Sequence, residues 1–307
     1  MTAPTLTRIP SRPRGRKGIR ESLAAYGFLA PWMIGMLAFT LGPVVASFFL
    51  SFTKYNLLQP PTWIGTQNYE KMLTDERLQH ALGVTVTYVV VAVPFQLVVA
   101  LGLAMLLDRG MRGMSFYRSA FYLPSMLGSS VAIAVLWRQM FGADGLVNQV
   151  LAMFGVEGAS WIADPDTALG TLILLHVWTF GSPLVIFLAG LRNIPRMYYE
   201  AAQVDGAGPV RRFLSITLPL LSPIIFFNLV LQVIGAFQTF TQAFVVSNGT
   251  GGPSDATLFF TLYLYQKAFP GFQMGYASAM AWLLLIIIAA VTALNFWLSK
   301  WWVFYED

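Results

Sequence analysis

Glu200-Ala201-Ala202-Gln203-Val204-Asp205-Gly206, followed after nine residues by Ile216-Thr217-Leu218-Pro219, forms a polar, arginine-bearing island between two long apolar runs. A membrane chain needs only a tight turn to join two helices, so an island of this size calls for a further use. Pro195 suits the first turn of a helix and Asn193 suits a cap, which sets a helix entry. Gly206 and Gly208 set its exit, and Pro209 opens a second short helix carrying Arg211 and Arg212. Ala201 and Ala202 leave a smooth face for close packing, and Glu200 offers a charge to a partner's arginine. Taken alone, the same helix would also serve as an ordinary loop helix with Arg196 and Glu200 paired at i,i+4.

Composition sets the surroundings of the island. Of 307 residues, 56% are hydrophobic and only 11% charged, against roughly 25% charged in soluble domains. The chain reads as an all-α, polytopic membrane protein. It has no cysteine and two histidines, His80 and His176, which leaves no thiolate or histidine-rich metal site. The net charge of +5 is concentrated in Arg8, Arg12, Arg14, Arg16, Lys17 and Arg20. A tail of this kind reads as a disordered cytoplasmic anchor to anionic lipid heads and not as a nucleic-acid site. The apolar run that follows, from about Leu23 to Phe52, is too long for a signal peptide's apolar core of about 7–15 residues.

A helix needs roughly 20 apolar residues to span the hydrocarbon core. Six segments qualify, at about 24–52, 81–107, 119–141, 168–190, 221–246 and 276–299. Prolines in or beside them (Pro43, Pro94, Pro124, Pro183, Pro223) are tolerable where neighbours re-satisfy the backbone. Ala100/Ala104 and Ala277/Ala281 suit close helix packing. With the N-terminus inside, fourteen Lys and Arg fall on the cytoplasmic side and five outside (Lys54, Lys71, Arg77, Arg138, Lys267). The inside group adds Arg109, Arg112, Arg118, Arg192, Arg196, Arg211, Arg212 and Lys300 to the tail. The asymmetry gives an N-in, C-in topology and puts the island where ATP is. Trp63, Trp161, Trp137 and Tyr55 read as interface anchors on the outer side, Trp301, Trp302 and Tyr117 on the inner. The expected organisation is a basic tail over 1–22, a six-helix transmembrane domain over 23–300 with the cytoplasmic segment 193–219, and a cytoplasmic tail over 301–307.

The island resembles the EAA loop of ABC-importer permeases, whose short cytoplasmic helix docks on the ATPase. Arg118-Ser119-Ala120-Phe121-Tyr122-Leu123-Pro124, Trp137, Gly145-Leu146-Val147-Asn148, Gly251-Gly252-Pro253 and Trp302-Val303-Phe304-Tyr305-Glu306 are similar to the maltose/lactose/glycerol-phosphate-type sugar permeases. Ser247-Asn248-Gly249-Thr250 departs from that pattern by a slightly longer turn. The resemblance implies a type I importer permease fold in a bacterial or archaeal inner membrane. Glu200, Ala201, Ala202, Asp205 and Gly206 would be the ATPase-coupling residues. Sugar-contacting positions carried over by distance from Glu200 fall near Trp178, Thr179 and Ser182.

The residues add their own evidence. No G-x-x-x-x-G-K-[ST] segment is present, so ATP and Mg belong to a partner and this chain binds no cofactor. One docking segment for a two-surfaced ATPase dimer calls for a second permease, and the resemblance implies a paralogue. It also implies two ATPase subunits and an extracytoplasmic solute-binding protein. No carboxylate pair or Ser/His/Asp set points to catalysis. Asn228, Gln232, Gly235, Thr239 and Gln242 recur at steps of four and three, so a continuous helix would place them on one face. Uncharged amides suit the hydroxyls of a neutral carbohydrate, though the same amides serve as interhelical glue at about 0.6 kcal/mol each. A glycerol-phosphate or polyamine permease, or a secondary transporter without an ATPase, stays open as an alternative. The last is weakened because His176 is the single clear ionisable candidate inside the spans.

Overall fold

The computed structural model describes residues 17–108, 114–128, 130–156 and 158–304. Arg8, Arg12, Arg14, Arg16, Arg109, Arg112 and Tyr305–Asp307 lie outside the described residues, as do the side chains of Lys17, Arg20 and Arg118. Four unbroken helices are long and apolar enough to span a membrane: Ala25–Ser51, Glu76–Asp108, Pro209–Phe237 and Met274–Trp302. Two bent pairs bring the number to six with each taken as one span: Ser119–Leu127 with Val131–Met140, bent by 97°, and Pro165–Trp178 with Gly181–Asn193, bent by 42°.

The second span is the axis of the bundle. It packs on both halves of the fourth span and on the fifth, and Ala92, Ala100 and Ala104 are fully buried there, where small side chains let backbones approach. The first span is peripheral, with no buried residue from 25 to 50. It meets the sixth span at one end, where the Trp282 indole donates to Ser47 Oγ at 3.1 Å.

Two π turns share one cause. Leu37–Leu41 closes with the Gly42 N–H on Leu37 O, and Pro43 follows. Phe213–Thr217 closes with the Leu218 N–H on Phe213 O, and Pro219 follows. A proline has no N–H to give and crowds the carbonyl four residues back. Widening the preceding turn moves that carbonyl aside without breaking the helix. The widened turn before Pro219 is therefore what carries Pro209–Arg212 continuously into the fifth span.

The two ends of the bundle differ. At one, Thr53–Lys54 pairs antiparallel with Thr62–Trp63, Thr53 opposite Trp63, and a short helix Gln67–Thr74 follows. We call this the hairpin end. The other is the island end, where Arg192 pairs with Asp108 at 3.5 Å.

Three expectations are corrected. The segment 221–246 is not one helix: it stops at Phe237 and resumes as Thr241–Val246. Trp137 is no interface anchor, being 8% exposed with its indole donating to Thr171 O at 3.0 Å. Asn193 does not cap the island helix; it ends the preceding one, and Pro195 is the cap residue.

Candidate coupling segment and membrane path

The island helix runs Arg196–Val204 and closes on itself. The Gly206 N–H reaches Gln203 O at 3.1 Å and the Ala207 N–H reaches Ala202 O at 2.8 Å. This pair of bonds requires a left-handed residue after the helix, and Gly206 supplies it at φ +73°. Asp205 is the C-cap, its N–H on Ala201 O at 3.1 Å. The helix is held to the bundle where the Tyr199 hydroxyl meets Thr217 Oγ1 at 2.9 Å. Thr217 belongs to the second motif, so the nine residues between the motifs bring the two into contact.

No side chain of this helix is buried. Met197, Glu200, Ala201 and Val204 fall at i, i+3, i+4 and i+7, one face, and all four are exposed, Val204 to 89%. Ala202, on the other side, is partly covered. Glu200 makes no ion pair with Arg196, since the ion pairs among the described residues are Arg77–Asp255 and Arg192–Asp108. The loop-helix alternative therefore lacks its stabilising pair. What remains is a self-closed helix offering a carboxylate between two bare apolar side chains.

The polar stripe of the fifth span divides at the break. Asn228 is 1% exposed and spends its amide on Ile224 O of its own helix at 3.1 Å, while its Oδ1 is buried with no protein partner. Gln232 is half-buried and Gly235 exposed, with nothing within 4 Å of where a Cβ would sit. Beyond the helix end, Thr239 takes the Thr261 hydroxyl on its carbonyl, and Gln242 donates to Gly128 O at 3.0 Å. The five residues do not share one face. The open polar edge is Gln232, Gly235 and Gln238, the last exposed beside a groove of about 650 Å3 against the sixth span. Sequence reasoning passed over Gln238, although it continues the three-residue step from Gly235.

On the fourth span, Thr179 and Ser182 are engaged in bonds between helices. Gln96 Nε2 reaches His176 O at 3.1 Å, Thr179 O at 3.1 Å and Thr179 Oγ1 at 3.0 Å. Ser125 donates to Thr179 O at 2.8 Å and accepts the Ser182 N–H at 2.8 Å. These bonds satisfy the backbone groups that the 42° break sets free, as a hydrocarbon surrounding demands. Close approach makes them possible. A Cβ on Gly128 would lie 2.1 Å from Thr179 Cγ2, and one on Gly181 would lie 2.4 Å from Phe121 O. Trp178 is half-buried with its ring 6.2 Å from that of Trp137. His176 sits edge-on to Tyr88 at 5.4 Å, its Nε2 without a protein partner.

Residues 76–303, all five later spans and the island between them, match the family described as binding-protein-dependent transport system inner membrane component. The chain belongs to that family. It is 53% identical over 290 residues to the probable ABC transporter permease protein YesP of Bacillus subtilis (strain 168), covering 94% of each chain. It is 33% identical to the lactose transport system permease protein LacF of Rhizobium radiobacter, covering 89% of this chain and 93% of that one. In fold it is similar to a chain of a bacterial alginate ABC transporter solved with an alginate pentasaccharide-bound periplasmic protein. That match has a TM-score of 0.80 at 20% identity, covering 94% of this chain and 98% of the other. The protein is thus a multi-pass inner-membrane permease subunit of an ABC importer, and its island lies within the matched region.

Proposed function

We propose that this permease forms half of the translocation path of a sugar importer and couples it to a separate ATPase through the helix Arg196–Val204. The observation that carries the coupling is the uncovered face of Met197, Glu200, Ala201 and Val204 on a helix that completes its own hydrogen bonds. An exposed apolar face on a rigid mount is what a partner's groove needs. Glu200 then pairs across the contact, and Asp205 and Gly206 fix the exit of the chain. Relatives named for lactose, arabinooligosaccharides and trehalose/maltose support an oligosaccharide-type substrate, and the amides of Gln232 and Gln238 suit sugar hydroxyls. The working assembly has a second permease, two ATPase subunits that hold ATP and Mg, and a solute-binding protein outside. Closure of the ATPase dimer carries the island with it and rocks the bundle between inward- and outward-facing states. The island end faces the cytoplasm in this scheme, and both termini lie inside.

Glu200→Arg tests the coupling in proteoliposomes holding the whole transporter. Uptake and substrate-stimulated ATP hydrolysis should fall to background while the permease still inserts; unchanged uptake would sink the proposal. Because the chain lacks cysteine, single cysteines map the sides. An impermeant thiol reagent should label positions 160 and 255 in intact cells and miss position 205. Labelling at 205 would overturn orientation and coupling together.

A further inference from the structure

The hairpin end holds a cavity of about 560 Å3. Its walls are fixed by bonds within the chain. The Asn68 amide, 7% exposed, pins Ser51 O at 2.8 Å and Thr53 O at 2.9 Å. The Gly275 N–H meets Tyr55 O at 3.2 Å, and a Cβ there would lie 2.0 Å from Thr53 O. Glycine at 275 therefore lets the sixth span close directly on the hairpin.

The lining has a chemical bias. Tyr55 and Tyr276 give ring surface, Asn56 and Gln67 give amides, and Lys54 and Lys71 give two ammonium groups. Lys71 is oriented: it donates to Gln273 Oε1 at 3.0 Å and stands 4.6 Å from the centre of the Tyr276 ring. No carboxylate lines the cavity, and neither lysine is in an ion pair among the described residues. The nearby Asp75 is already engaged by Tyr263, Tyr276 and the Leu78 N–H. Rings and amides in a concavity of this size fit a sugar ring, and two uncompensated ammonium groups fit an acid substituent on it.

We propose that this cavity binds the acid-bearing unit of an anionic sugar, of the uronate class, before it enters the path between the spans. The sugar half of the inference rests on the importer reading; the demand for a negative group rests on the lining alone. The amide-edged membrane path has no cation to sort such a substrate, so the acid group is read at the mouth. This replaces the neutral substrate expected from the spans with an anionic one.

The test is titration of the intact transporter in lipid nanodiscs with D-glucuronate, D-glucose and acetate, followed by saturation-transfer NMR and calorimetry. Glucuronate should bind, and glucose and acetate should bind at least about tenfold more weakly. Lys54→Gln and Lys71→Gln should each weaken glucuronate by about tenfold or more, the scale of a lost charged hydrogen bond, with unchanged melting. Lys54 is exposed and its side chain holds no other element, so its variant keeps the test open if Lys71→Gln disturbs Tyr276. Equal binding of glucose, acetate matching glucuronate, no glucuronate binding, or indifference to both lysines would each overturn the site. So would lysine variants that weaken only the docking of the solute-binding protein. If glucuronate fails to bind while Glu200→Arg still abolishes uptake, the site falls and the importer reading stands. If Glu200→Arg is harmless, the coupling reading falls whatever glucuronate does.

Discussion

The two ends of this molecule are tied by opposite means. At the hairpin end, side chains far apart in sequence converge: Tyr263 and Tyr276 both donate to Asp75, at 2.8–3.0 Å, and Arg77 forks onto Asp255 at 2.7 and 2.8 Å. At the island end, the backbone bonds of Arg196–Val204 run within the helix and its exit turn, Tyr199 ties it to Thr217, and the face of Met197, Glu200, Ala201 and Val204 is exposed. The first end takes its shape from the rest of the chain. The second keeps its shape by itself and leaves its surface for another protein. Substitutions should therefore cost stability at one end and coupling at the other.

Gly206→Pro should have the largest effect and break the comparison if it fails. Proline cannot adopt φ +73°, so the exit turn is lost and uptake should drop to background. Melting of the purified chain should hardly move; a large fall would mean that the island is part of the fold after all. Asp75→Ala should do the reverse, leaving two buried tyrosine hydroxyls without their acceptor at about 1–3 kcal/mol. A lower denaturation midpoint with residual ATPase coupling would sharpen the contrast, and an unchanged midpoint would erase it.

A smaller effect separates the two parts of the polar stripe. Gln242→Ala removes a bond to Gly128 O and should cost about 0.5–1.5 kcal/mol of stability. Gln232→Ala removes no internal bond of that kind and should change sugar uptake while leaving melting alone. If the two variants behave alike, both amides are packing. The smallest effect is on acid stability. Arg77 holds the Asp255 carboxyl below its usual range. Burial works to raise that of Asp75, but hydrogen bonds from Tyr276, Tyr263 and the Leu78 N–H outweigh it and lower the pKa. A depressed carboxyl stabilises the fold above its unfolded pKa, about 3.9, and that share is lost as pH falls through the folded value. Acid unfolding of the Asp75→Asn, Asp255→Asn double variant should thus be flatter below about pH 4 than that of the parent.

Much of this was legible from residue order. The apolar runs marked all six spans, and the island's glycines and prolines marked its helix within a few residues. The break after Phe237 was not, because the polar stripe ran across it without a change of step. Thr239 and Gln242 kept a helical spacing across a chain that had stopped being a helix. Trp137 misled for a related reason: an indole near a helix end serves a membrane interface or a buried carbonyl equally well. Asp75 was missed because its partners lie about two hundred residues away, beyond any periodicity. The Gln96 bonds to the fourth span escaped notice as one more amide in an apolar run.

That amide has a mechanical meaning. Gln96 Nε2 carries two hydrogens and stands within 3.1 Å of three oxygens on the broken fourth span. One acceptor is always in reserve. The three oxygens all belong to the last turn of Pro165–Trp178 and its cap residue Thr179, so the amide grips the turn just before the break, from which Gly181–Asn193 leads on to the island. Gln96 works as a clamp on that turn, so the carbonyls that the break frees are not left stranded in oil.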